Sequence, residues 1–373
     1  MYQRPGNATD AVLVSLDLGE AGYADSLDEI QRLATSAGVR TRALVQGRRH
    51  RPDPALFAGK GKVEEVARNV AATGAGLAIF NHELSPVQER NLERTLNCRV
   101  VDRVSLILDI FAQRAQSHEG KLQVELAQLE HLAPRLVRGW THLERQKGGI
   151  GMRGPGESQL ETDRQLLGKR VKALKDKLVK VQSQRATQRR SRTRGNVFTA
   201  SLVGYTNAGK STLFNQLTRA GVYAADKLFA TLDTTTRRVH TAAGGVVLSD
   251  TVGFIRELPH TLVAAFRATL EETIHAALLL HVVDASSPDR DAQIAAVNAV
   301  LAEIGADRIP QLIVLNKIDR TPLTPRIERD EYGKISRVWV SAQSGEGVEF
   351  VRMALEEHGA AARGERAQDF VAV

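Results

Sequence analysis

The sequence predicts a mixed α/β chain in which two α/β domains are separated by a helical hairpin. Three observations carry this. Short apolar runs alternate with amphipathic stretches from Asp10 to about Arg103; strand-like runs stop between Ser105 and Arg194; the alternation resumes at Val197 and persists to about His358. The 373 residues are 42% hydrophobic and 25% charged, ordinary proportions for two or three domains with a core in each.

In the first region, 1–104, the strand-like runs are Ala11 to Leu16, Thr41 to Val45, Leu77 to Phe80 and Arg99 to Val101. Helix-like stretches fall between them, at Leu27 to Ala37, Val63 to Ala72 and Pro86 to Leu96. Strict alternation of the two types predicts a small parallel sheet with helical crossovers. Ser85 before Pro86 marks a helix start, a capping hydroxyl followed by a residue whose missing N–H costs nothing in the first turn.

The second region, 105–195, reads as a helical, coiled-coil-like hairpin whose tip is the glycine-rich segment 148–156. Leu122, Leu126 and Leu129 form one apolar stripe, and Val171, Leu174, Leu178 and Val181 form another, so the two arms can close on each other. Pro134 is expected to kink or end the first arm. The second arm is strongly basic. Lys169, Arg170, Lys172, Lys175, Lys177, Lys180, Arg185, Arg189, Arg190, Arg192 and Arg194 stand against Asp176, roughly +10 in a chain whose net charge is +8. The excess is therefore local, and such a block serves interaction with a polyanion or forms a solvated helix face.

Composition also excludes some classes. Cys98 is the only cysteine, so there is no intramolecular disulfide and no multi-cysteine zinc site. Residues Met1 to Ala11 are polar and include Pro5 and Gly6, unlike a secretory signal, and no apolar run reaches membrane-span length. A cytoplasmic location is expected, with association at a membrane surface open.

The third region, 196–358, carries the chemistry, and a tail at 359–373 follows with no clear signal. Strand-like Phe198 to Val203 precedes Gly204-Tyr205-Thr206-Asn207-Ala208-Gly209-Lys210-Ser211, and helix-like Thr212 to Leu217 follows. This is a Walker A sequence in the required setting. The loop's backbone N–H groups and the helix N-terminus receive phosphate, Lys210 reaches the β- and γ-phosphates, and Ser211 ligates Mg²⁺. Asn316-Lys317-Ile318-Asp319, after the apolar run Gln311 to Leu315, selects guanine. Asp319 accepts from the ring N–H and exocyclic amine, donors that adenine lacks there, which would leave a buried carboxylate unpaired at about 1–3 kcal/mol. Ser341-Ala342-Gln343 closes over the base. Asp250-Thr251-Val252-Gly253 is expected to hold Mg²⁺ through water at Asp250 and to contact the γ-phosphate through the Gly253 N–H. Phe229-Ala230-Thr231-Leu232-Asp233 presents Thr231 to the same ion, and loss of the γ-phosphate would release both segments.

Ser211, Thr231 and Asp250 are thus the expected Mg²⁺ residues, and Lys210, Thr231 and Gly253 the catalytic ones. The fold class sharpens to a P-loop GTPase domain preceded by a small parallel α/β subdomain and a hairpin, with GTP or GDP as ligand. Phe254 departs from the glutamine that many GTPases place after this glycine to orient water, so unassisted hydrolysis should be slow. His281, inside a strand-like run, reads as a satisfied core residue.

These motifs in order resemble the HflX family of translational GTPases. The resemblance extends upstream to Gly59-Lys60-Gly61-Lys62-Val63-Glu64-Glu65, to Asn81-His82-Glu83-Leu84-Ser85-Pro86 and to the segment Gly148 to Glu157. It implies a factor that binds the large ribosomal subunit and ribosomal RNA, splits or rescues stalled ribosomes and hydrolyses GTP in response. It also implies a second nucleotide-binding activity around Gly59 to Lys62, although Gly-x-Gly-Lys lacks Walker A spacing and usually marks a turn before a helix. The alternatives are an assembly or anti-association factor on the large subunit and, less in keeping with the guanine motif, a small-molecule kinase. A monomer is expected in free solution, and the adjacency of Arg194 to the P-loop strand is expected to couple nucleotide state to the hairpin.

Overall fold

The structure, a computed structural model, describes residues 9–19, 22–139, 155–194, 197–219, 221, 228–241, 244–256 and 267–371. Two compact units result: Met1–Gln113 with Lys121–Leu178, and Arg114–Gly120 with Val179–Val373.

In the first unit the apolar runs form β1 (Thr9–Asp17), β2 (Val39–Arg48), β3 (Leu77–Phe80) and β4 (Arg99–Asp102). All pair in parallel, in the order β2-β1-β3-β4. Parallel neighbours need crossovers, and helices α1 (Tyr23–Ser36), α2 (Lys60–Thr73) and α3 (Pro86–Leu96) supply them before α4 (Arg103–Arg114). Val12, Leu13, Ile79 and Phe80 are fully buried, as expected of central strands covered on both faces. The start of α3 is a capping box: Ser85 Oγ accepts from the Gln88 N–H at 3.3 Å, and Gln88 Oε1 accepts from the Ser85 N–H at 2.9 Å. Gly59 sits at φ +78° where α2 begins, and the Lys62 ammonium is occupied by Glu65 at 2.6 Å and the Gln46 carbonyl at 2.8 Å. Gly59 is therefore the N-cap residue of α2, and Lys60 to Lys62 form the first turn of that helix.

The hairpin arms are α5 (His118–Gly139) and α6 (Pro155–Arg194). Leu122 and Leu126 pack with Leu174 and Leu178, and Leu129 and Val171 flank them, so the two stripes do meet. Arg170 pairs with Glu125 and Lys175 with Glu130, which offsets part of the basic block; such exposed pairs contribute little stability. Lys169, Lys172, Lys177 and Lys180 face solvent, while the side chains of Arg185, Arg189, Arg190, Arg192 and Arg194 lie outside the described residues. So does the expected tip, except Pro155 and Gly156, which begin α6.

Of the two outcomes expected at Pro134, a kink or an end, the end does not occur, because α5 runs on to Gly139 with the proline inside it. The next residue, Arg135, anchors that turn through Glu89 at 2.8 Å, Asp102 at 2.8 Å and the Leu84 carbonyl at 3.2 Å. The tail after residue 358, which carries no clear sequence signal, continues the last helix, α10 (Val348–Val371).

The second unit holds a sheet of β5 (Phe198–Gly204), β6 (Thr235–Thr241), β7 (Gly244–Asp250), β8 (Leu278–Asp284), β9 (Gln311–Asn316), β10 (Arg326–Arg329) and β11 (Ile335–Trp339), in the order β10-β11-β9-β8-β5-β7-β6. The inner pairings are parallel, whereas β6 and β10 join antiparallel at the two edges. Helices α7 (Lys210–Thr218), α8 (Arg267–Ile274), α9 (Arg290–Glu303) and α10 complete the alternation. The core joins Leu202, Phe214, Leu248, Leu280, Val314 and Leu355, every one fully buried. Among the described residues no helix is long and apolar enough to cross a membrane.

Candidate functional site

Register places the motifs together. Gly204 at the end of β5 stands opposite Val282 in β8, and Asp284 at the end of β8 stands opposite Asn316 at the end of β9. The carboxyl ends of these parallel strands therefore share one edge, the usual ligand position in open α/β sheets. Gly204 needs to be glycine: its φ is +149°, and a Cβ would stand 2.2 Å from the Val282 carbonyl oxygen. Gly209, at φ +96°, would similarly put a Cβ 2.2 Å from Asn316 Nδ2.

A cleft at this edge is lined by Thr206, Asn207, Gly209, Lys210 and Ser211 from the loop before α7, by Phe229, Ala230 and Thr231, and by Thr251 and Gly253. Lys210 Nζ donates to the carbonyls of Gly204 at 3.0 Å and Tyr205 at 2.9 Å. Burial pulls its pKa down to about 8, with Asp250 acting in the opposite direction. Ser211 Oγ donates to Asp250 Oδ2 at 2.7 Å and lies 2.6 Å from Thr231 Oγ1. Burial pushes the Asp250 carboxyl up, opposed by Ser211 and Lys210. Its Oδ1 is buried with no hydrogen-bond partner among the described residues, as is Thr206 Oγ1. Two hydroxyls and an under-satisfied carboxylate make a hard-oxygen set, and that set suits Mg²⁺ with waters.

Asn316 braces the loops. Its Nδ2 donates to the Ala208 carbonyl at 2.8 Å and its Oδ1 accepts from the Ala342 N–H at 2.8 Å, so one buried amide ties the phosphate loop to the segment after β11. Ser341 Oγ donates to Asp319 Oδ1 at 2.6 Å, which fixes the carboxylate expected to read guanine. Lys317 sits at φ +65° with its ammonium 2.7 Å from Asp284 Oδ2. Burial opposes ionisation of Asp284, but hydrogen bonds from Lys317 and Ser286 outweigh it and hold the carboxyl below its usual range.

Not every motif residue faces the cleft. Leu232, Val252 and Ile318 are buried in packing instead, because apolar side chains alternate inward along these loops, and Gln343 is exposed. Asp233 turns away as well: its carboxylate accepts from Gln116 and Ser117. Phe254 is fully buried, its N–H bonded to the Gly204 carbonyl at 3.1 Å and its carbonyl to the Thr206 N–H at 2.6 Å. His281 is a core residue, 1% exposed, with Nδ1 3.2 Å from Gln311 Oε1.

Sequence reasoning missed three contributors: Asp284 as the partner of Lys317, the Tyr205 hydroxyl accepting from the Arg256 N–H at 2.8 Å, and the Gln116–Ser117 turn. Asp284 ends the strand beside β9, which was a usable signal. The other two contacts join distant segments and leave none.

Comparison with known proteins agrees with this geometry. Residues 24–112 match the family model described as GTP-binding GTPase N-terminal, 114–192 the GTP-binding GTPase Middle Region, and 199–317 the 50S ribosome-binding GTPase. The chain is 58% identical over 359 residues to GTPase HflX of Escherichia coli (strain K12), covering 96% of this chain and 84% of that one. It is 54% identical to GTPase HflX of Magnetococcus marinus, covering 87% and 75%. A solved structure described as the SsGBP and GDP complex shares the fold with a TM-score of 0.52 at 24% identity, covering 93% of this chain and 97% of that one. A cleft at the carboxyl edge of a parallel sheet, together with relatives this similar over nearly the whole length, places the chain in the HflX family of GTPases.

Proposed function

We propose that this GTPase binds the large ribosomal subunit through ribosomal RNA, and that it splits or rescues stalled ribosomes with GTP hydrolysis stimulated by the ribosome. The observation that carries the reading is α6, a 40-residue helix with exposed Lys169, Lys172, Lys177 and Lys180 and a basic sequence that continues to Arg194, just before β5. Cations along one helix neutralise phosphates and release counterions. Few aromatics interleave them, so folded RNA read by shape fits better than single strands read by stacking. The match of residues 199–317 to a 50S ribosome-binding GTPase model supports the same partner.

At the cleft, Lys210 leaves the Gly204 and Tyr205 carbonyls for the β- and γ-phosphates, and the Gly253 N–H receives the γ-phosphate. Ser211 and Thr231 would hold Mg²⁺ directly and Asp250 through water; when bound, the ion spreads the charge of the phosphates. Asp319, fixed by Ser341, accepts from the guanine edge. Phe254 contributes no water-orienting side chain, since it is buried, so the chain alone hydrolyses GTP slowly.

GTP turnover with and without large subunits tests the stimulation. Sedimentation of intact ribosomes with substoichiometric protein and GTP tests the splitting. Large-subunit binding without separation of the subunits would favour an anti-association or assembly factor, and no binding at all would overturn the ribosomal reading.

A further inference from the structure

Asp233 is the feature that the nucleotide chemistry does not absorb. Its Oδ2 accepts from the N–H groups of Gln116 and Ser117, each at 2.8 Å, and its Oδ1 accepts from Ser117 Oγ at 2.5 Å. Ser117 Oγ in turn accepts from the Gly120 N–H at 2.9 Å, the geometry of a serine capping the start of α5. A Cβ at Gly120 would stand 2.1 Å from Asp233 Oδ1, so the missing side chain is what admits the carboxylate. The segment Arg114–Gly120 belongs to the same compact unit as Asp233, although the bonded residues are more than a hundred positions apart in sequence. Two residues before Asp233, Thr231 Oγ1 lies 2.6 Å from Ser211 Oγ, and the intervening Leu232 is buried. A chain with Leu232 packed and Asp233 held by three hydrogen bonds has little freedom left at Thr231.

We propose that the turn Gln116–Gly120 is a built-in anchor for the 229–233 segment, and that Ser117 and Gly120 are positioning residues of the GTPase site, acting through Asp233 to hold Thr231 beside Ser211. The inference rests on the assignment of Thr231 to Mg²⁺ above. A charged acceptor with two backbone donors and a hydroxyl makes stronger bonds than a neutral one, and the positive end of α5 adds to them. The anchor lies outside all of the nucleotide motifs. Its loss affects the state in which Thr231 contributes, GTP with Mg²⁺, more than the state bound to GDP.

The test uses the full chain and three readouts: affinity for a fluorescent non-hydrolysable GTP analogue across a Mg²⁺ titration, affinity for fluorescent GDP, and the melting temperature. Gly120→Ala raises helix propensity but places a methyl where Asp233 Oδ1 sits. A purely structural role therefore predicts unchanged or higher thermal stability and unchanged binding. The anchor predicts about tenfold weaker binding of the GTP analogue at limiting Mg²⁺, with GDP affinity within about twofold of wild type. Ser117→Ala should weaken analogue binding in the same way, and Ser117→Thr, which keeps the hydroxyl, should restore it. Thr231→Ala separates the two levels. If it leaves the Mg²⁺ dependence unchanged, the assignment of Thr231 is wrong; if it weakens analogue binding while Gly120→Ala and Ser117→Ala bind like wild type, the anchor is overturned.

Discussion

Removing the Asn316 side chain should uncouple the phosphate loop from the segment after β11. Both of its hydrogen bonds, to the Ala208 carbonyl and from the Ala342 N–H, are buried and 2.8 Å long, and the residue is 2% exposed. Asn316→Ala leaves a backbone acceptor and a backbone donor without their partner in a site closed to water, at about 1–3 kcal/mol each. The sum, about 2–6 kcal/mol, falls toward the lower end if water enters the space that the amide vacates. For a domain of this size about 3 kcal/mol corresponds to a drop in melting temperature of about 6–12 °C. Differential scanning calorimetry of the nucleotide-free protein reads that number, and titration with fluorescent GDP reads the second consequence. Two loops that must be aligned by the ligand itself bind it more weakly, and a tenfold loss corresponds to about 1.4 kcal/mol of the brace. A melting temperature within about 1 °C of wild type would refute the reasoning, because it would mean that neither backbone group depends on Asn316.

Three further outcomes follow from the same geometry. Lys210→Ala should abolish tight GTP binding, a loss of at least about a hundredfold by isothermal titration, since it removes a buried ammonium aimed into the phosphate loop. His281 has its pKa pulled from 6.5 to about 4, chiefly by burial, so the unfolded chain binds its proton first as pH falls; the stability present above pH 6.5 is lost toward pH 4. Over that interval wild type should lose about 3 kcal/mol more than His281→Leu in urea titrations, and parallel pH profiles would show that the histidine is not held neutral. Leu174→Ala, at a fully buried position in the hairpin seam, should cost about 2–5 kcal/mol and appear as early loss of helical circular dichroism on heating; an unchanged melt would mean that the arms do not depend on that seam.

What was legible in the sequence was whatever is encoded locally. The strand Leu77 to Phe80 has the predicted bounds, because a run of apolar residues between two helical stretches has no other way to bury itself. Ser85 and Pro86 start a helix through contacts reaching only three residues. Lys210, Ser211 and Thr231 could be read as converging because a Walker A loop constrains its own backbone and the following motifs come in fixed order. That the helix continues past Pro134 was not legible, because Arg135 reaches Glu89 and Asp102, residues on other elements that no local rule can see. Asp233 belongs to the segment expected at the nucleotide, while the partners of its carboxylate lie more than a hundred residues earlier. Part of the segment, Phe229 to Thr231, lines the cleft, but motif membership did not fix the direction of each side chain along it.

Phe254 draws these strands together. Its ring is fully buried, and its backbone bonds to Gly204 and Thr206 make the residue a strut between the phosphate loop and the segment after β7. A glutamine there would have to give up that packing to reach water, and burying its amide instead would cost an unsatisfied polar group. The site thus uses this position for rigidity, not for water orientation. Gly253, directly before it, meets the same constraint: a Cβ would approach Thr206 Cα at 2.8 Å, so the two loops touch at backbone distance. A cleft preorganised on this side needs its remaining order from the other, where Thr231 stands beside Ser211 and Asp233 is held at the start of α5. Nucleotide binding is thereby built into the fold of this unit, whereas the group that orients the attacking water has to be supplied by backbone, by another side chain or by a partner.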